Sequence, residues 1–345
     1  MAQGKDRARQ RRRTRGLAAF ISIAAALALT SPGVAAETIK LGTQKPVGGP
    51  IYIAAAKGYF AEEGLTPEFV FFEAGEPIAV AGASGAIDFG VAGLTGGFYS
   101  LAGQGALRII AGQTHEVPSF HANTVAASNR AYDAGLKSVK DLAGHSAAIT
   151  QIGSAFHYDL GLLADKYHFD LKSIRLMPLQ TNPNAVAAVV GGSADVVVTI
   201  APWVMPAIQK GDAKLLAFIG DETPWQLSAA FTATKTANEK PDLVKRYLRA
   251  LRKATHDYHD AFTSADGKRQ DQASAPEILD ILAKYIGQPP EMIKLGLGYM
   301  DAEARLDVKD VLHQVAWYRA QGMLKNDFNA ADIMDRRYIV PLPGQ

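Results

Sequence analysis

The segment QIGSAFHYDLGLLADKYHF, Gln151 to Phe169, sets a Gly-Ser pair directly before an amphipathic run. Phe156, Leu160, Leu163, Ala164 and Tyr167 recur at helical spacing, so a helix starts beside Ser154 and turns one face inward. HSAAIT, just before it, reads as a buried strand. A strand running into a helix through a short Gly-Ser turn leaves unpaired backbone N–H groups and the positive end of the helix dipole at the sheet edge. Those groups suit an anion. Ser154 capping its own helix is the competing role, and on these residues alone the more ordinary one. Of the histidines, His115, His121 and His157 stand out: His115 follows a strand end and His157 lies in the first helical turn after Ser154, so either could donate to a bound acid, with an exposed helix-start histidine the equal alternative.

The usual catalytic sets are missing. The chain has no cysteine, which excludes disulfides, thiolate metal sites and a cysteine nucleophile. GASGA lacks the spacing of a nucleophile elbow, and GGSAD precedes a strand instead of following one. GVAGLTGG has its glycines at the wrong intervals for a phosphate loop or a dinucleotide fingerprint. His256 and His259, with Asp257 and Asp260, fall on a polar helix and read as a solvated face. No cofactor and no metal are expected.

The elements that must carry such residues alternate. TIKLGT, EFVFF, DFGVAG, LRIIAG, SAAIT, IRLMPL, DVVVTI and KLLAFI read as strands separated by helical patterns, the mark of α/β sheets with largely parallel strands. Ligands of such sheets sit beyond the carboxyl ends of the strands. The segments to watch are therefore Thr43 to Pro50, Gly93 to Thr95, Gly112 to His115, Gln151 to Ser154, Thr181 to Asn184, Ala201 to Trp203 and Gly220 to Glu222. From Pro241 onward the pattern is mostly helical. HANTVAAS and SAAFTATK read as two further extended stretches that cross between lobes: 37–126 with 229–345 form one lobe and 127–228 the other.

The first residues read as a secretory signal, with a basic stretch KDRARQRRRTRG, an apolar run from Leu17 to Leu29, and small residues before a cut expected after Ala36. The flanks of the arginines match the twin-arginine signal poorly, so ordinary secretion is expected. Without residues 1–36 the chain keeps 29 Lys+Arg against 33 Asp+Glu, a formal net of about −4, so its basic sequence pI is no sign of nucleic-acid binding. No cysteine follows the signal to carry a lipid. The expected location is the periplasm.

Taken in order, PIYIAAAKGYFAEEGL, GAIDFGVAG, SVKDLAGHSAAIT, GSAFHYDLGLLADKY, AVVGGSADVVVTIAPW and KPDLVKRYLRAL resemble the periplasmic substrate-binding proteins of ABC importers of the nitrate, taurine and alkanesulfonate type, related to the binders of thiamine-pyrimidine precursors. The resemblance covers nearly the whole chain after residue 36. It implies a type II periplasmic binding fold, two α/β lobes joined by two crossover strands with the ligand cleft between them. It also implies a monomer that captures a small molecule and presents its closed form to an ABC permease, with no enzymatic activity. Under it the ligand contacts are expected at Gln44, Thr95, Gln113 and His115 in the first lobe, and at Gly153, Ser154, Ala155, Phe156, His157, Asn182 and Trp203 in the second. Lys45 reads as solvent-facing. Phe156, Tyr99, Trp203 and Trp225 near the cleft would favour an aromatic carboxylate or sulfonate. A pyrimidine-type heterocycle is the alternative ligand, and an enzyme of the pyrimidine-precursor synthase type the weaker alternative function. Porphobilinogen deaminases, which share the architecture, need the cysteine this chain lacks.

Overall fold

A computed structural model describes residues 36–345 except Asn326; the expected signal segment, 1–36, lies outside the described residues save for Ala36. The first third of the fold runs β1 (Glu37–Thr43), α1 (Gly49–Ala56), α2 (Tyr59–Glu62), β2 (Leu65–Phe71), α3 (Gly75–Ser84), β3 (Phe89–Gly93), α4 (Gly96–Gly103) and β4 (Leu107–Gly112). The middle runs β5 (Thr114–Glu116), β6 (Asn123–Ser128), α5 (Asn129–Asp133), β7 (Ser146–Ile149), α6 (Ala155–Tyr167), β8 (Arg175–Pro178), α7 (Asn182–Val190), β9 (Val196–Ile200), α8 (Ala201–Lys210), β10 (Ala213–Phe218), α9 (Ile219–Glu222) and β11 (Trp225–Gln226). The last part holds β12 (Ser228–Ala233), α10 (Thr234–Glu239), α11 (Pro241–Phe262), α12 (Ala275–Ile286), α13 (Pro290–Lys294), β13 (Tyr299–Met300) and α14 (Val308–Ala320).

Two five-stranded sheets share one plan, in the orders β2-β1-β3-β12-β4 and β8-β7-β9-β6-β10. In each, three parallel strands are followed by one antiparallel strand, β12 in the first and β6 in the second. The plan recurs at side-chain level. Asp88, just before β3, accepts the Lys40 N–H of β1 at 2.8 Å, and Asp195, just before β9, accepts the Ser146 N–H of β7 at 2.9 Å. Each carboxylate locks the start of one strand to its parallel neighbour, the structural role their positions in the sequence indicate.

HANTVAAS and SAAFTATK are strands, as expected, but each belongs to one sheet along its length: β6 to the second, β12 to the first. The chain crosses between sheets one step outside them. There β5 and β11 pair antiparallel, with β13 on the other edge of β5, forming a three-stranded sheet that holds both crossings side by side.

Helices cover both faces of the sheets. On the first sheet α11 buries Leu243, Tyr247, Leu251, Ala254 and Tyr258 along one stripe, as a 3.6-residue period dictates. α14 behaves differently. Its Trp317 and Tyr318 share a continuous apolar core with Tyr99 of α4 and with Tyr158 and Leu160 of α6, so this helix packs on both lobes at once. Among the described residues no helix is long and apolar enough to cross a membrane, and no group of three or more His, Asp or Glu is placed to hold a metal.

Candidate functional site: a cleft of helix N-termini

Strand-to-helix turns from both lobes meet between the sheets. One chamber is lined by Ala74 and Gly75 at the start of α3, Thr95 at α4, Ser154, Ala155 and Phe156 at α6, and Ile200 at α8. Gln44, Val47, Gly93, Asn123, Thr150, Gln151, Leu227 and Ser228 complete its wall. Four helix N-termini therefore face one space, and among the described residues no Lys, Arg or His side chain lines it. What its wall offers an anion is the positive ends of helix dipoles.

Capping leaves some of these amides free. In α6 the His157 N–H reaches Ser154 Oγ at 3.4 Å, long for a cap, while Ala155 and Phe156 have no acceptor for their N–H among the described residues. In α4 the Phe98 N–H is held by Thr95 Oγ1 at 3.0 Å. The Gly96 N–H donates across the lobes to Gly153 O at 2.9 Å, so the two turns touch. α3 has no side-chain cap, and Pro77 in its first turn has no N–H to satisfy. Its Gly75 and Glu76 amides have no acceptor among the described residues.

Two further spaces continue the chamber. A mouth is lined by Gln44, Lys45, Pro46, Phe71, Glu73, Asn182, Trp203 and Gln288 among others, and among the described residues it is the only one of the three with charged side chains in its wall. A second, apolar chamber shares Val47, Ile200 and Leu227 with the first.

Of the residues expected at the ligand, Gln44, Thr95, Ser154, Ala155 and Phe156 come together in the first chamber. Asn182 and Trp203 line the mouth, with Gln44 common to both. The other four stand behind the wall. Gly153 has a left-handed backbone, φ 81°, and its N–H donates to His157 Nδ1 at 3.1 Å. The His157 ring is packed edge-on against Trp317, and burial lowers its pKa to about 4. It is thus neutral at ordinary pH and shapes the turn that presents Ser154. His115 lies in the three-stranded sheet with Nε2 3.2 Å from Arg305 O, and burial lowers its pKa too. Gln113 gives its Nε2 hydrogen to Gly112 O at 2.9 Å. Two aromatics expected near the cleft are core: Tyr99 donates to Gln314 Oε1 at 2.9 Å, and Trp225 packs on Tyr158.

The wall also holds residues not anticipated. Ala74 and Gly75 follow a strand end like the segments singled out, and EAGEP marks a helix start, but no capping side chain drew the eye to them. Asn123 is fully buried; its Nδ2 donates to Asp159 Oδ2 at 2.7 Å, and its Oδ1 has no partner. Only tertiary structure brings it to the chamber.

Residues 45–261 match the family described as "NMT1/THI5 like". No curated protein sequence matches the chain. Among solved structures, the alkanesulfonate-binding protein SsuA from Xanthomonas axonopodis pv. citri bound to MOPS superposes with a TM-score of 0.68 at 22% identity, over 86% of this chain and 98% of that one. The periplasmic aliphatic sulphonate binding protein SsuA from Escherichia coli gives 0.66 at 19%, over 88% and 97%. The periplasmic nitrate-binding protein NrtA from Synechocystis PCC 6803 gives 0.65 at 16%, over 86% and 84%. These likenesses establish the periplasmic-binding-protein fold. With the family match spanning more than half of its residues, the chain belongs to the NMT1/THI5-like family.

Proposed function

We propose that this protein is an extracytoplasmic solute-binding protein that captures a small organic anion between its lobes and delivers it, in the closed form, to an ABC importer. The observation that carries this reading is the meeting of four helix N-termini from both lobes in one chamber without a cationic side chain. Backbone dipoles fixed in a partly dry cleft attract an anion at little reorganisation cost. A ligand touching turns of both lobes favours the state in which both are within reach, so binding and closure are one equilibrium. The similar structures with sulfonate and nitrate in their names support an anionic solute, and the sulfonate binders an organic one. The expected aromatic body has less support, since Tyr99 and Trp225 are core and only Phe156 adds a ring to the first chamber.

Binding without chemistry fits the walls. Neither deep chamber is lined by Lys, His, Asp or Glu, so the hydroxyls of Thr95, Thr150, Ser154 and Ser228 have no base beside them in the wall. A second reading, a neutral heterocycle of the pyrimidine-precursor type, rests on Asn123 Oδ1. This acceptor belongs to a wall residue, is buried and unpartnered among the described residues, and calls for a donor that a simple anion lacks.

A thermal-shift screen of the purified chain against organic anions and heterocycles tests both readings. A ligand present at a hundredfold its dissociation constant adds about 2.7 kcal/mol of stability. Stabilisation by sulfonates or carboxylates supports the first reading. Stabilisation by neutral heterocycles alone replaces it with the second. The periplasmic location goes with the expected signal, and intact-mass analysis of a periplasmic extract should show a chain beginning at or near Glu37.

A further inference from the structure

We infer that the anion carried by this protein has an alkyl body, which lies in the apolar second chamber while its charged head sits at the helix N-termini. The inference rests on the solute-binding reading above and names the class of solute. The two chambers are neighbours with a common wall: Val47, Ile200 and Leu227 line both. A bare inorganic ion at the turns would leave the second chamber without a role.

That chamber is aliphatic. Pro46, Leu282, Ile286, Ile293, Leu297 and Met300 surround it, and no charged side chain lines it. Burying CH₂ groups there is favourable in proportion to their area. An aryl body finds little to stack on, because Tyr258 is the only ring in the wall and its hydroxyl is committed to Gly298 O at 2.9 Å. The second lobe contributes Ala122, Ile200 and Pro202, and Pro202 lies so close to Gly296 that a Cβ there would meet its Cδ at 2.2 Å. The chamber is thus shut by contact of the two lobes, and a body filling it is held by both. Leu282 to Met300 lie outside residues 45–261, so nearly half of this wall belongs to the part of the chain that the family match does not reach.

Calorimetry with linear alkanesulfonates and alkanoates of one to eight carbons tests the inference on the parent chain and on two variants. In Gly49→Ala the new Cβ sits at ordinary contact distance, 3.6 Å from Met300 Cε and 3.7 Å from Tyr258, and narrows the chamber without reaching the turns. Ile286→Gln makes the wall polar near the mouth, at a half-exposed position where folding should tolerate it. In the parent, affinity should rise roughly fourfold per added methylene until the chamber is filled. Methanesulfonate should bind all three proteins within about twofold, while pentanesulfonate and longer chains should lose roughly tenfold or more in at least one variant. Hexanesulfonate should bind the parent more tightly than benzenesulfonate. Affinity that does not grow with chain length, an unchanged series in both folded variants, or preference for the aryl sulfonate overturns the alkyl body but leaves the anion seat standing. Failure of every sulfonate and alkanoate to bind overturns the anion reading itself and this inference with it.

Discussion

Ser154 has two claims on its hydroxyl, and the geometry weighs them. As a cap it holds the His157 N–H at 3.4 Å, near the limit of a hydrogen bond, whereas Thr95 holds the equivalent amide of α4 at 3.0 Å. Ser154→Ala should therefore cost stability at the low end of the usual range for a cap, about 0.5 kcal/mol. If the hydroxyl meets the charged group of the ligand, affinity should fall by about 1.5 to 3 kcal/mol. Calorimetry and melting on the same variant separate the roles, and lost stability with unchanged binding returns Ser154 to capping. A second buried group is visible only in three dimensions. Asp159 is fully buried, with one oxygen taken by Asn123 Nδ2 and the other unpartnered, and Glu116 lies in the same cluster, bound to the Asn123 N–H at 2.7 Å. Burial raises the pKa of Asp159 to about 8 and that of Glu116 well above its ordinary value. The sign follows from proton counting. The unfolded chain releases these protons near pH 4, so their contribution to stability is complete below that and is lost as pH rises toward the folded value. Asp159→Asn keeps an oxygen for Asn123 and removes the charge. Its urea midpoint, relative to the parent, should shift upward between pH 5 and pH 8, and parallel pH profiles would contradict the assignment. Neither carboxylate was legible in the sequence, because burial of a charge is decided by distant elements and not by local pattern.

At the scale of elements the sequence was far more informative. All eight strands read from apolar runs exist, along with both extended stretches; most bury one or both faces and so carry a clear pattern, while β8 is only partly covered. β5, β11 and β13 were missed. Strands of two or three residues are too short to show a period, and they are what holds the crossings together. The strand-end rule located the cleft, yet the start of α3 escaped because its first turn is bare of Ser, Thr, Asp or Asn. The partnership of α6 and α14 also lies beyond local pattern. Gly161 of α6 reads as a weak point in a helix, but its missing side chain makes room for the Trp317 indole, which a Cβ would meet at 2.4 Å. Gly161→Ala should gain about 1 kcal/mol of helix propensity yet lose more to overpacking, about 1 to 3 kcal/mol. A net stabilisation in chemical denaturation would show that α14 shifts freely on α6. A loss of stability would show that the helix is pinned there.

If the lobes close on a ligand as proposed, the whole molecule has to reconcile the contacts of α14 with a cleft that opens. On the cleft side, the Gly96 N–H to Gly153 O contact closes one turn on the other. On the far side, Tyr318 Oη lies 3.2 Å from Ser154 O and 3.5 Å from Leu94 O, and Gln314 Nε2 donates to Gln226 O of β11 at 2.8 Å. One helix thus touches the turn before α4, the turn before α6 and a crossing strand. This arrangement places the axis of any opening near α14 and the three-stranded sheet, because rotation there moves the mouth most and the α14 contacts least. Opening must still break the Gly96–Gly153 bond and loosen the Tyr318 hydroxyl, and a ligand bridging the turns has to offset that tendency. Small-angle scattering should therefore show a smaller radius of gyration with a confirmed ligand than without. Tyr318→Phe removes only the hydroxyl at the junction, and should lower the closed fraction in the absence of ligand while leaving the saturated radius unchanged. A radius indifferent to ligand in both proteins would mean that α14 holds the lobes shut, and that solute enters through the mouth beside Trp203 and Lys45 without lobe motion.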